Sequence, residues 1–348
     1  MTPSRGLALF ALTTATAVPV LTAAPVVTAA PVMASAEATA GAVSGDSIRY
    51  AWVRGCARRN LTVPCGAVTL TLRDGRTVTL ADARVHPRRA DGKVDRNDAA
   101  PLAVSGDGRY VSYLRGDRLV IRDVDRGTVR PLPGGADVLP RGVGQDDVDA
   151  TLSSGGTLAV IDYGGKAPAL IVNLGNGRTT RVAAKTSVLT MSPDGRHLLT
   201  RRDTEGNTAD LTVLDANGGK VRTQSVPLAL FEGAHVALAD DANTLAILDT
   251  IIPIKPGLRV YDMAAGPFVT KVPFGSARTL RLPKGERPQR LSWDTNGTLT
   301  LWTGRGDKRD GSFVSFVKRA VDPGTATTRR LDSFTVKKSS WTWHLPGE

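Results

Sequence analysis

Met191 to Thr200 reads MSPDGRHLLT. A Ser-Pro-Asp-Gly turn followed by an apolar run admits three readings: a bare turn, part of an anion or metal site, or one unit of a repeating fold. The residue chemistry serves a turn without any ligand. Pro presets φ at the second position, Asp bonds nearby backbone N–H groups, and Gly accepts positive φ. A phosphate loop would need a glycine-rich strand-to-helix turn with Lys, which is absent.

The stretch recurs. Related units begin at Leu102, Ala150, Leu189, Val236 and Arg290. Each has a short apolar segment, a Ser/Asp/Gly turn and an apolar run. An alternating strand such as LVIRDV or LRVYDM follows, then a last strand. The spacing of about 40 to 50 residues is that of a propeller blade. Four short strands per unit predict antiparallel sheets. No segment after Ala36 has a helical apolar period, which argues against a parallel α/β fold.

In these residues the chain resembles the TolB-type, WD40-like (PD40) β-propeller repeat, whose signature is a strand ending in Ser-Pro-Asp-Gly before an apolar strand. Ser192-Pro193-Asp194-Gly195 matches in full; Ser105-Gly106-Asp107-Gly108 lacks the Pro, and Ser153-Ser154-Gly155-Gly156 lacks Pro and Asp. Asp240-Asp241-Ala242-Asn243 and Asp294-Thr295-Asn296-Gly297 keep only the turn chemistry. The resemblance implies an all-β, single β-propeller. Five units are clear, and a sixth is expected from strands at 48–53, 67–73 and 76–85 with a C-terminal strand within 339–347. The expectation is six four-stranded blades, with seven as the alternative. Pairing of the C-terminal strand with the N-terminal strands would close the ring and cover open sheet edges. Trp341 and Trp343 would pack there rather than hold a ligand.

Residues 1–36 read as a signal peptide: one Arg, no acid, an interrupted apolar run, and Ala34-Ser35-Ala36 as a small-x-small cleavage site. An uncleaved anchor is the alternative. Residues 37–47 read as a short linker and 48–348 as the propeller. Cleavage after Ala36 predicts a secreted, extracellular protein. Nothing beyond it has the length and apolarity of a transmembrane helix. Cleavage removes one Arg and takes the net charge from +12 to +11. Such a field favours acidic partners. Another protein or an anionic envelope polymer is expected rather than nucleic acid, and the chain is expected to be a monomer.

The two cysteines, Cys56 and Cys65, lie in RGCARRNLTVPCG. In an exported protein so close a pair predicts a disulfide that shapes a loop. The four histidines are far apart, and none pairs with a Cys at metal-ligand spacing. Asp91, Asp95, Asn97 and Asp98 lack the EF-hand spacing. No metal and no cofactor are expected.

The resemblance implies that the first-to-second strand turns occupy one rim and that the other rim, which carries the remaining loops, binds ligands. Ser105, Asp107, Gly108, Ser192, Pro193, Asp194 and Gly195 are then structural. Arg58, Arg59, Arg88, Arg89, Arg201, Arg202, Arg305, Lys308 and Arg309 map to the opposite rim as a basic face. Asp91, Asp95, Asp98, Asp146 and Asp147 share its loops and dilute the field. No Gly-x-Ser-x-Gly nucleophile elbow is present. Ser292-Trp293-Asp294-Thr295-Asn296-Gly297 resembles a sialidase Asp-box with its Gly one residue late. A binding or scaffold propeller is the first reading. The alternative is a catalytic propeller, a lactonase- or glycosidase-like hydrolase with a channel-mouth site. Three or more acids and histidines converging at that mouth would favour the enzyme.

Overall fold

The computed structural model describes residues 46–59, 61–231, 233–250, 256–264, 277–307 and 312–347. The proposed signal peptide, and most of the proposed linker, lie outside them. The first blade contains β1 (Ile48–Arg58), β2 (Leu61–Pro64), β3 (Val68–Leu72) and β4 (Thr77–Leu80). The second is β5 (Leu102–Val104), β6 (Tyr110–Arg115), β7 (Arg118–Asp123) and β8 (Val129–Pro131). The third is β9 (Asp149–Leu152), β10 (Leu158–Asp162), β11 (Leu170–Asn173) and β12 (Thr179–Arg181). The fourth is β13 (Ser187–Met191), β14 (His197–Thr204), β15 (Thr208–Asp215) and β16 (Lys220–Pro227). The fifth is β17 (His235–Leu238), β18 (Thr244–Asp249), β19 (Gly257–Asp262) and β20 (Arg278–Thr279). The sixth is β21 (Glu286–Trp293), β22 (Leu299–Gly306), β23 (Phe313–Val321) and β24 (Thr328–Thr335). The last strand, β25 (Ser340–His344), pairs antiparallel with β1, with Ala51 opposite His344 and Trp52 opposite Trp343. The protein is therefore a six-bladed β-propeller of antiparallel sheets. Among the described residues no helix is long and apolar enough to cross a membrane.

Period-two alternation shares each strand between two cores. In β7, Leu119 and Ile121 join a cluster with Ala150, Leu152 and Ile161 of blade three. Val120 faces the other way and packs with Ile48, Leu70 and Val104, toward blade one. Each buried aliphatic contributes about 1.5–3 kcal/mol, so the ring is held by the seams between its sheets. First strands of neighbouring blades meet around the axis: β5 with β9, β13 with β17, β17 with β21, and β25 with β5.

Two local expectations change. β1 runs on to Arg58 and pairs with β2, Cys56 lying opposite Val63, so the expected disulfide loop is a two-stranded ribbon. Leu61 and Val63 supply the alternation that makes it one. The expected strand at 76–85 ends at Leu80, and Asp82 beyond it accepts the Tyr113 hydroxyl at 3.1 Å.

Candidate functional site

The Ser-x-Asp-Gly turns are tied by their own side chains. Buried Ser192 Oγ accepts the His197 N–H at 3.0 Å and donates to Asp194 Oδ1 at 2.7 Å. Asp194 Oδ1 also accepts the Arg196 N–H at 2.9 Å. Ser105 does the same with the Tyr110 N–H and Asp107. The turns also bond to each other around one rim. Asp107 N–H reaches Ser154 O at 2.9 Å, and Gly155 N–H reaches Pro193 O at 3.3 Å. Asp194 N–H reaches Asp240 Oδ1 at 2.9 Å.

The opposite rim receives the proposed basic face. Cys56 and Cys65 form a disulfide across the base of the ribbon. Arg58 and Arg59 stand at its tip and line a depression with Leu61, Val63 and Asn97. Arg88 Nε is 3.7 Å from Asp117, and Arg89 pairs with Asp95. Arg201 pairs with Asp203 at 2.9 Å, Arg202 with Asp210 at 2.8 Å, and Arg305 with Glu286 at 3.7 Å. Lys308 and Arg309 lie outside the described residues. Among the described members of the set, only Arg58 and Arg59 are free of an ion pair, and Leu61 between them and the disulfide is 65% exposed. Asp91, Asp95 and Asp98 accept backbone N–H groups of their own loop. Among the described residues no group of three His, Cys, Asp or Glu side chains is arranged to hold a metal ion.

A cavity of about 380 Å³ opens at the turn rim, where the sequence resemblance implies only structural turns. Asp46, Asp107, Asp125 and Asp294 line it, together with Arg73, Arg109, Arg290 and Lys318. The four acids meet the number expected of a catalytic mouth, and three of them are engaged within the protein. Asp107 and Asp294 cap backbone N–H groups of their own turns, and Asp46 pairs with Arg76. Asp149 and His235 begin the axial strands of blades three and five. Burial, and then Asp162, pushes the Asp149 carboxyl up. Burial, and then the Arg290 charge, pushes the His235 imidazole down. Arg290 acts electrostatically on both.

No family model matches the sequence, and no curated protein matches it. The WD40-like repeat therefore rests on the turn residues themselves. Among solved structures the chain is similar to TolB from Acinetobacter baumannii at 14% identity, covering 86% of this chain and 67% of that one with a TM-score of 0.47. It is also similar to hydrazine synthase from Kuenenia stuttgartiensis at 16% identity, covering 66% of this chain and 65% of that chain, TM-score 0.38. A third similarity is to dipeptidyl peptidase 4 from Porphyromonas gingivalis at 10% identity, covering 84% and 45%, TM-score 0.39. The chain thus spans just under two thirds of the hydrazine synthase chain and under half of the peptidase chain. The strand pairing of the six sheets carries the fold assignment.

Proposed function

We propose that the protein is a secreted binding propeller that docks an acidic partner, another protein or an anionic envelope polymer, on the rim bearing the disulfide ribbon. The observation that carries this reading is the ribbon tip. Among the described residues Arg58 and Arg59 have no acid in ion-pair reach, while Arg88, Arg89, Arg201, Arg202 and Arg305 are already paired. A free guanidinium at an exposed tip keeps its full attraction for an incoming anion. The disulfide limits the conformational freedom lost on binding, and Leu61 adds apolar contact. Secretion suits both the disulfide and the leader-like residues 1–36.

The test is adsorption of the full chain to an immobilised poly-glutamate surface across about 0.05 to 0.5 M salt. Binding should weaken steeply with salt and fall roughly tenfold or more in R58E/R59E. Salt-insensitive binding, or an unaffected variant, overturns the reading.

The catalytic alternative draws on Asp149 and His235. Burial raises the Asp149 carboxyl and lowers the His235 imidazole, biasing each toward its neutral form, and the Arg290 charge acts on both. Hydrolysis of a lactone or glycoside that disappears in D149N and H235Q would replace the binding reading.

A further inference from the structure

The turn-rim cavity extends from the channel mouth into the seam between blades six and one, where Asp294 and Lys318 face Ser47 and Arg73. Lys318 sits on β23 with Trp302 and Asp332 as its cross-strand neighbours. Its Nζ lies 5.9 Å from the centroid of the Trp302 ring. Among the described residues it makes no ion pair and no hydrogen bond.

The acids near it are committed elsewhere. Asp332 receives Arg73 at 2.9 Å and Arg49 at 3.4 Å. Asp294 Oδ1 accepts the Asn296 and Thr298 N–H groups. Asp107 Oδ1 accepts the Ser105 hydroxyl and the Arg109 N–H. Burial pushes the Lys318 amine below the usual lysine range, and Arg73 adds to this, while Asp294, Asp332 and Asp107 oppose it. A half-buried ammonium with no acid in contact is costly. A cavity beside it, walled on another side by Met191, Trp293 and Pro346, is the complement of an anion with an apolar body.

We propose that this cavity binds a small organic acid, its carboxylate on Lys318 Nζ and its apolar body against Trp293 and Met191. The volume is that of a small-molecule site. The site lies on the rim opposite the ribbon and does not depend on the ribbon's role. The charges that face Lys318 come from three blades: Arg73 from blade one, Asp107 from blade two, and Asp294 and Asp332 from blade six. A carboxylate stabilises the ammonium form, so binding takes up protons at alkaline pH and weakens as pH rises.

Titration calorimetry of the full chain with benzoate tests this, with benzamide as neutral isostere and inorganic phosphate as a bare anion. Benzoate should bind saturably, with benzamide and phosphate each about tenfold weaker or more. In Lys318→Met benzoate affinity should fall roughly tenfold or more, while the melting temperature holds or rises because the unpaired charge is gone. If that variant fails to fold, wild-type protein decides the matter. Its benzoate enthalpy at alkaline pH should differ between buffers of unlike ionisation enthalpy, in the sense of proton uptake. The proposal is overturned by equal binding of benzamide or phosphate, by full affinity in Lys318→Met, by the absence of proton uptake, or by no heat at about 10 mM benzoate.

Discussion

The carbonyl of Gly108 accepts the Ile48 N–H at 2.7 Å, joining the first turn of blade two to the strand that begins blade one. Gly108 has φ +77°, and a Cβ added there would lie 2.4 Å from Ile48 O. Gly116 also has positive φ, +60°, but its added Cβ would meet nothing within 4 Å. Gly116→Ala should therefore cost only the backbone penalty, about 1 kcal/mol. Gly108→Ala adds the clash and the loss of the seam bond and should cost about 3 kcal/mol. Denaturant midpoints of the two variants check the difference.

The turn was legible in the sequence because its chemistry is local. Ser192, Asp194 and Gly195 act on one another within a few residues, and the same device recurs from blade to blade. What the turns do to each other was not legible. Asp194 meets Asp240 only because the ring brings successive blades together. Lys318 was hidden for the same reason. It is one of four polar residues in the run SFVSFVKRAV, and its isolation depends on Asp332 being held by Arg73 and Arg49. The ribbon is not legible as paired strands because no Gly marks its turn. Arg59 takes the left-handed conformation there instead, with φ 53°.

Glu286 is enclosed by Arg319, whose Nε and Nη2 donate to it at 2.9 and 2.8 Å, and by the Thr303 hydroxyl at 2.7 Å. Burial pushes its carboxyl up, but the Arg319 and Thr303 bonds outweigh that and leave it below the ordinary range. Both side chains are at most 10% exposed. Glu286→Leu alone should cost about 3 kcal/mol by leaving the guanidinium uncompensated. The joint replacement Glu286→Leu with Arg319→Met should come within about 1 kcal/mol of wild type. Equilibrium unfolding of the four-member cycle reads the coupling.

His344 on the C-terminal strand has a buried, unpartnered Nε2. Burial pushes its pKa down to about 4, from an ordinary 6.5. Between those values the unfolded chain takes up a proton that the folded chain refuses. Stability from this group is therefore complete above pH 6.5 and lost as pH falls toward 4, on the order of 3 kcal/mol in all. His344→Phe should flatten that part of the curve. Unfolding free energies at several pH values in this window give the slope for both proteins, and equal slopes contradict the assignment.

The Cys56–Cys65 bridge spans nine residues of a ribbon that lies largely outside the packed seams. Reduction, or replacement of both cysteines by Ser, should leave the global melting temperature within roughly 2 °C. Amide hydrogen exchange across 56–64 should accelerate, and poly-glutamate adsorption should weaken because the tip arginines lose their fixed spacing. A global drop well beyond that range would mean that the ribbon braces the ring.

Trp341 and Trp343 share β25 but serve different structures. Trp343 packs against Phe316 and Phe313 of blade six, with ring centroids at 5.5 and 5.8 Å. It stands opposite Trp52 and joins the cluster of Tyr50, Trp302 and Leu345 at the seam where the chain ends meet. Trp341 donates its Nε1 proton to Thr62 O at 3.2 Å and so reaches into the ribbon. Trp343→Ala empties part of a seam and should cost about 3–5 kcal/mol. Trp341→Ala breaks one exposed hydrogen bond and should cost about 1 kcal/mol, its main effect being faster exchange at Thr62 and its neighbours. The two substitutions separate ring closure from ribbon posture on one strand. Costs near zero for both would mean that β25 contributes through backbone pairing with β1 alone, and deleting residues 339–348 would then be no worse than losing that ladder.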